Sequence, residues 1–224
     1  MKQTILTILI FVMTCSLGIA EILALKEQST TDALRRSNAA ANEYLNKAWE
    51  ERFDSTGTEV REAGGVITWD GKEFKVRNYK KSDNCCSISL DRNVGRDKGI
   101  VRGEFHTHPY SKSEGAYTGV AFSAGDILFM LRNRKKNYVM IVQSGEKRFA
   151  LVIEDVKKVK RYSRKNSEEK IRKTYQKALE NAEGTFPEKV KDWVIDVLGT
   201  NSGLKFYEFD SDNENFTEIT SSRK

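Results

Sequence analysis

The chain has 224 residues, with 38 Lys and Arg against 32 Asp and Glu, a formal net charge of +6, two histidines and three cysteines. That length suits one domain with its own hydrophobic core. No internal repeat, low-complexity tract or long linker interrupts it, which excludes a repeat array or a string of separate modules. The basic excess sits in two runs, residues 132–136 and 157–165, without the interleaved aromatics of a nucleic-acid motif, so both read as solvated faces and nucleic acid is not a clear partner.

Residues 1–20 combine a basic start at Lys2, an apolar run from Ile5 to Met13 and a Gly18-Ile19-Ala20 exit. This is the pattern of a secretory signal peptide cut after Ala20. The apolar run is short for a membrane anchor, and Val12-Met13-Thr14 ahead of Cys15 is a poor lipoprotein signal. The expectation is an exported protein, periplasmic or secreted, with no stable membrane anchor after cleavage. Cys85 and Cys86 then remain, adjacent in sequence. In an oxidising compartment they would form a strained vicinal disulfide or pair with another chain.

A helix is expected over residues 31–53, where Leu34, Ala41, Leu45, Ala48 and Trp49 recur near helical spacing, with Thr30 or Thr31 at its start. A hairpin follows over 62–76, turned at Asp70-Gly71. Residues 86–90 read as a short strand, 91–98 as a polar loop and 100–108 as a strand ending at Pro109. After a polar loop at 111–119, a helix starts at Ser123. A second hairpin spans 137–153 and turns at 144–147. Residues 167–183 form an amphipathic helix, Pro187 opens another to Leu198, and strands are expected at 204–209 and 216–219. The fold class is α/β or α+β: one domain with a mixed sheet flanked by helices. Along the chain it divides into a signal peptide (1–20), an N-terminal helical segment (21–56), a core (57–155) and C-terminal helices and strand packed on that core (156–224).

Chemistry concentrates at Phe105-His106-Thr107-His108-Pro109. Residues i and i+2 of a strand share a face, so both histidines project in parallel. With no third histidine, a tetrahedral metal site must take its third protein ligand from a carboxylate or cysteine and leave the fourth position to water. Asp126 is the nearest downstream carboxylate in a suitable setting. Ser123-Ala124-Gly125-Asp126 ahead of an apolar run is equally a helix capping box.

The ordered set Glu62, His106-Thr107-His108-Pro109 and Ser123-x-x-Asp126 resembles the signature of the JAMM/MPN+ zinc metallopeptidases, and Glu62-x-Gly64-Gly65-x-Ile67 resembles a bacterial secreted and toxin-associated group of them. The resemblance covers roughly residues 62–153. It implies a cytidine-deaminase-like domain in which His106, His108 and Asp126 ligate Zn2+, Glu62 is the general base and Ser123 stabilises the oxyanion, hydrolysing a peptide or isopeptide bond in a protein or peptide substrate. Glu59 is a rival to Glu62 as the base; Glu62 is preferred because it leads into Gly64-Gly65. Between His108 and Asp126 the chain carries roughly seven residues more than the usual motif, and the 111–119 loop can absorb them. Two other readings are a non-catalytic protein-binding module on the same fold, and a basic nucleic-acid-binding domain.

Overall fold

The computed structural model describes residues 29–53, 60–83, 87–211 and 215–220. The expected signal peptide, the break after the first helix with Glu59, and Cys85-Cys86 all lie outside the described residues. Among the described residues no helix is long and apolar enough to cross a membrane.

The elements run α1 (Thr30–Glu50), β1 (Ala63–Trp69), β2 (Phe74–Lys81), β3 (Ile100–Thr107), α2 (Ala124–Arg132), β4 (Val139–Ser144), β5 (Lys147–Ile153), α3 (Val156–Lys165), α4 (Glu168–Asn181), α5 (Phe186–Leu198), β6 (Leu204–Asp210) and β7 (Asn215–Glu218). All strands join one mixed sheet in the order β2-β1-β3-β4-β5-β6-β7. This is the expected α/β architecture. β6 pairs antiparallel with β5, so the C-terminal segment extends the sheet itself.

The first helix forms where its apolar spacing predicts, but its cap is Ser29, whose hydroxyl accepts the N–H of Asp32 at 3.1 Å. The first hairpin turns through Asp70–Glu73 rather than through two residues alone, because Trp69 pairs with Phe74. The Asp70 carboxylate holds that turn by accepting the N–H groups of Lys72 and Glu73, both at 2.9 Å. Residues 87–90 are not a strand. The basic run at 156–165 is a helix, α3: Asp155 caps it and only Val159 is buried on it, so its cations do face solvent.

Helices cover both faces of the sheet. On one, Leu34, Ala41 and Leu45 of α1 pack on Ile67, Phe105, Val139 and Ile141. On the other, α2 to α5 bury a larger core that includes Ile127, Met130, Trp193 and Val194 against Val66, Met140, Val142 and Leu151. Arg148 of β5 reinforces the first face. It is buried and donates to the side-chain oxygens of Asn38, Asn42 and Asn46, one per turn of α1, and to Gln143.

Among the described residues only β3 and β4 run parallel. A parallel pair needs a crossover connection, and α2 lies on that crossover. The chain therefore leaves the C-terminal end of β3 and must begin α2 near that same end. Such strand ends are where open α/β sheets hold ligands.

Candidate metal centre

His106 is the penultimate residue of β3, and His108 follows the strand's end. His108 is fixed beyond the ladder: its N–H donates to Gln143 O at 2.9 Å and its carbonyl accepts from Ser144 Oγ at 3.0 Å. Both imidazoles are buried, and their Nε2 atoms lie 3.0 Å apart. Asp126, in the first turn of α2, completes the cluster, with Oδ1 3.3 Å from His106 Nε2 and Oδ2 3.3 Å from His108 Nε2. These three residues form a group that could hold a metal ion.

His108 Nδ1 lies 2.8 Å from the carbonyl of Ala121, an acceptor only. The proton therefore resides on Nδ1, and the Nε2 lone pair points into the cluster. That lone pair, the second imidazole and a carboxylate converge on one point, an arrangement that could hold a cation. Without a metal the cation is a proton. Burial opposes charge on His106, but Asp126 outweighs it by charge and hydrogen bond, and the imidazole is raised to about 9. Burial likewise works against the Asp126 carboxylate, and the facing histidines hold it well below the usual carboxylate range.

Ser123 caps α2. Its N–H and its hydroxyl donate to Asp126 Oδ2 at 2.8 and 2.7 Å, and Asp126 N–H donates back to Ser123 Oγ at 3.3 Å. The capping box and the ligand set thus share one carboxylate. The cap fixes the rotamer that aims Asp126 at the histidines, and it commits the Ser123 hydroxyl proton to Asp126.

Glu62 precedes β1, beside His106 and His108 in the same cavity. Burial raises its pKa against the pull of both histidines, and the Ile88 N–H donates to its carboxylate. Two backbone anchors set its position. Ser82 N–H donates to Glu62 O at 2.7 Å, and the neighbouring Ala63 N–H donates to Thr107 Oγ1 at 3.0 Å. The Gly64-Gly65 pair allows β1 to lie this close. A Cβ on Gly64 would stand 2.9 Å from His106 Cβ and closer still to the Phe105 carbonyl, while one on Gly65 would press on the Phe105 ring at 3.0 Å.

The cavity over the cluster measures about 660 Å3. Segment 87–92 forms one wall, Tyr110 and Glu114 another, and Arg172, Tyr175 and Gln176 of α4 a third. The 111–119 loop is pinned rather than open. Gly119 N–H donates to Ser144 O at 2.9 Å, and Tyr117 packs on Phe186 of α5 with ring centroids 4.8 Å apart. The structure brings together all five residues singled out from sequence. It adds Thr107, Arg92, Glu104 and the α4 residues. Of these, Thr107 stands inside the His106-Thr107-His108-Pro109 motif, and Glu104 lies two positions before His106 and hence on its face of the strand; the others left no sequence signal.

Comparison of the chain with protein-family models, with curated proteins and with solved structures finds no match.

Proposed function

We propose that the cluster is a Zn2+ site and that the protein is an exported metallopeptidase of the JAMM type, hydrolysing a peptide or isopeptide bond. The observation that supports this best is the convergence of His106, His108 and Asp126 beside a half-buried carboxylate, Glu62, in a single cavity.

The donor set fits the metal. Ligands about 2.0–2.1 Å from a tetrahedral centre stand about 3.3 Å apart; here the two Nε2 atoms are 3.0 Å apart and each lies 3.3 Å from one Asp126 oxygen, Oδ1 for His106 and Oδ2 for His108, with one ligand atom from each residue within 4.8 Å of the others. Two of the three ligands also have an outer contact that orients them: Ala121 O for His108 and Ser123 for Asp126. Zinc bound there would lower the pKa of a bound water toward neutrality and polarise the scissile carbonyl. Glu62 takes the proton of the attacking water and delivers it to the leaving amine nitrogen. Burial favours that exchange, because it brings the carboxyl's proton affinity up from that of a solvated glutamate. Ser123 aims Asp126; turned toward substrate, its hydroxyl donates to the developing oxyanion. Export follows from the signal-like residues 1–20.

Metal analysis of purified protein beside a His106→Ala/His108→Ala variant tests the reading. About one zinc per chain, lost in the variant, is expected for a tetrahedral single-ion site, together with cleavage in a peptide-library screen. No bound metal at neutral pH after zinc is supplied would overturn it and leave the cluster a protonated His106–Asp126 ion pair.

A further inference from the structure

The cavity holds a second group of polar side chains that the hydrolytic roles above do not use. Glu104 lies on β3 two residues before His106, about 7 Å along the strand and on the same face. It is buried, at 3% exposure. Its Oε2 accepts from Arg92 Nε at 2.7 Å, lies 2.6 Å from Arg92 Nη2, and accepts from the Tyr138 hydroxyl at 3.0 Å. Arg92 also donates from Nη1 to the Leu90 carbonyl at 3.2 Å and lies over the Phe129 ring, 4.1 Å from its centroid.

This guanidinium is locked on three sides, yet its side chain keeps 40% exposure and lines the metal cavity. A guanidinium has five N–H donors. Two are engaged on Glu104 and one on Leu90, and Arg92 also hydrogen-bonds the Tyr138 hydroxyl, which among the described residues leaves one for a ligand. The other cation on the cavity wall, Arg172, is placed differently: its Nε and Nη2 both bond Glu168, at 3.0 and 2.9 Å, out on α4. Arg92 has already lost its rotamer freedom, so a ligand gains its hydrogen bond without ordering a long side chain. The remaining N–H, on a group that stays fully charged, suits a carboxylate through one charge-assisted hydrogen bond.

We propose that Arg92, held by Glu104 and Phe129, is the anchor for a substrate carboxylate, and that the site takes peptides carrying a carboxylate one or two residues from the scissile bond. This rests on the reading of the cavity as a peptide-hydrolase site. The spacing sets the register: a peptide advances at most about 3.3–3.6 Å per residue, so a group near Arg92 lies one or two residues from a carbonyl placed at the histidines. The carboxylate is either the terminal α-carboxylate or an Asp or Glu side chain.

Direct binding distinguishes these. N-acetylated tripeptides with a free C-terminus or a C-terminal carboxamide, and an amidated pair differing by one Glu or Gln, are titrated into the full chain by calorimetry, metal-free and zinc-loaded. The free acid is expected to bind at least about tenfold tighter than its amide if the α-carboxylate is read, and the Glu peptide tighter than the Gln peptide if a side chain is read. Arg92→Ala should erase the difference, and Arg92→Lys should restore only part of it. An Arg92→Ala/Glu104→Gln double variant avoids a bare buried carboxylate if the single variant fails to fold. Equal affinity for every acid and its neutral partner in the wild type would overturn the proposal, as would no binding of any peptide at millimolar concentration. Carboxylate-dependent binding without zinc or turnover would overturn the hydrolase reading and leave Arg92's role standing; cleavage indifferent to the carboxylate would do the reverse.

Discussion

The hydroxyl of Thr107 accepts the backbone N–H of Ala63 at 3.0 Å. The residue between the two histidines thus holds the start of β1, and through it Glu62, against the end of β3. Thr107 is fully buried, so no water can replace that acceptor. Thr107→Val, close in shape, should lower stability by about 1–3 kcal/mol, the cost of a buried donor left unpaired. It should keep the metal and slow turnover, because the histidines stay on β3 while Glu62 loosens. Thr107→Ser should retain most of both. Denaturant unfolding, metal content and turnover on the three proteins check this; full turnover in Thr107→Val would show that the anchor does not position Glu62.

Glu62→Gln preserves shape and removes the proposed base. Bound zinc should match the wild type, while turnover should fall by about 100- to 10,000-fold, the usual contribution of one proton-transfer group. Wild-type activity in this variant would sink the assignment of Glu62.

Metal binding should be strongly pH-dependent. His106 is raised to about 9 in the metal-free protein, so below that pH a metal must displace its proton. Affinity is expected to fall as pH drops from 9 to 6, with proton release on binding, seen as a dependence of calorimetric heat on the buffer's ionisation enthalpy. The sign for stability follows from the same shift. A raised pKa contributes stability that is complete below the unfolded value of 6.5 and is lost as pH rises through about 9. The metal-free protein should therefore lose stability over that window, and the zinc-loaded protein much less.

Gly64→Ala should destabilise by about 1–3 kcal/mol, as overpacking does. Its Cβ would meet both the Phe105 carbonyl and His106 Cβ. Because that Cβ presses on His106 itself, metal affinity should fall as well. The same substitution at Gly71, where a Cβ meets nothing within 4 Å but the φ is +100°, should cost stability through backbone strain alone and leave metal binding intact. If both variants bind metal equally well, the close approach at Gly64 has no bearing on the site.

Much of the local structure was legible in the residues alone. The shared face of His106 and His108 follows from the two-residue period of a strand, and the start of α2 at Ser123 from a capping pattern that spans four residues. The α1 helix and the 137–153 hairpin were readable for the same reason: each depends on neighbours within a turn or across a tight loop. The sequence also marked Glu62, but through a resemblance in motif order, since a lone glutamate carries no pattern of its own. The basic run at 157–165 reads as a solvated face and is one, yet the sequence does not predict its helix, because a single buried residue, Val159, leaves too little apolar periodicity to register.

Tertiary structure alone decided what surrounds the histidines. The single parallel pair, β3 with β4, returns the start of α2 to the end of β3 and so delivers Asp126 to the cluster. Antiparallel pairing of β1 with β3, close-packed at Gly64, brings Glu62 across 44 residues to the same place. Neither partnership is encoded in periodicity, which sets which face a side chain takes and not which strand lies beside it. The Arg92–Glu104 pair and the α4 wall were hidden for that reason too. By itself the sequence determined the chemistry of the donors and their local orientation; burial, the protonation state of His106 and the reach of each carboxylate belong to the folded sheet, where distant segments share one low-dielectric cavity.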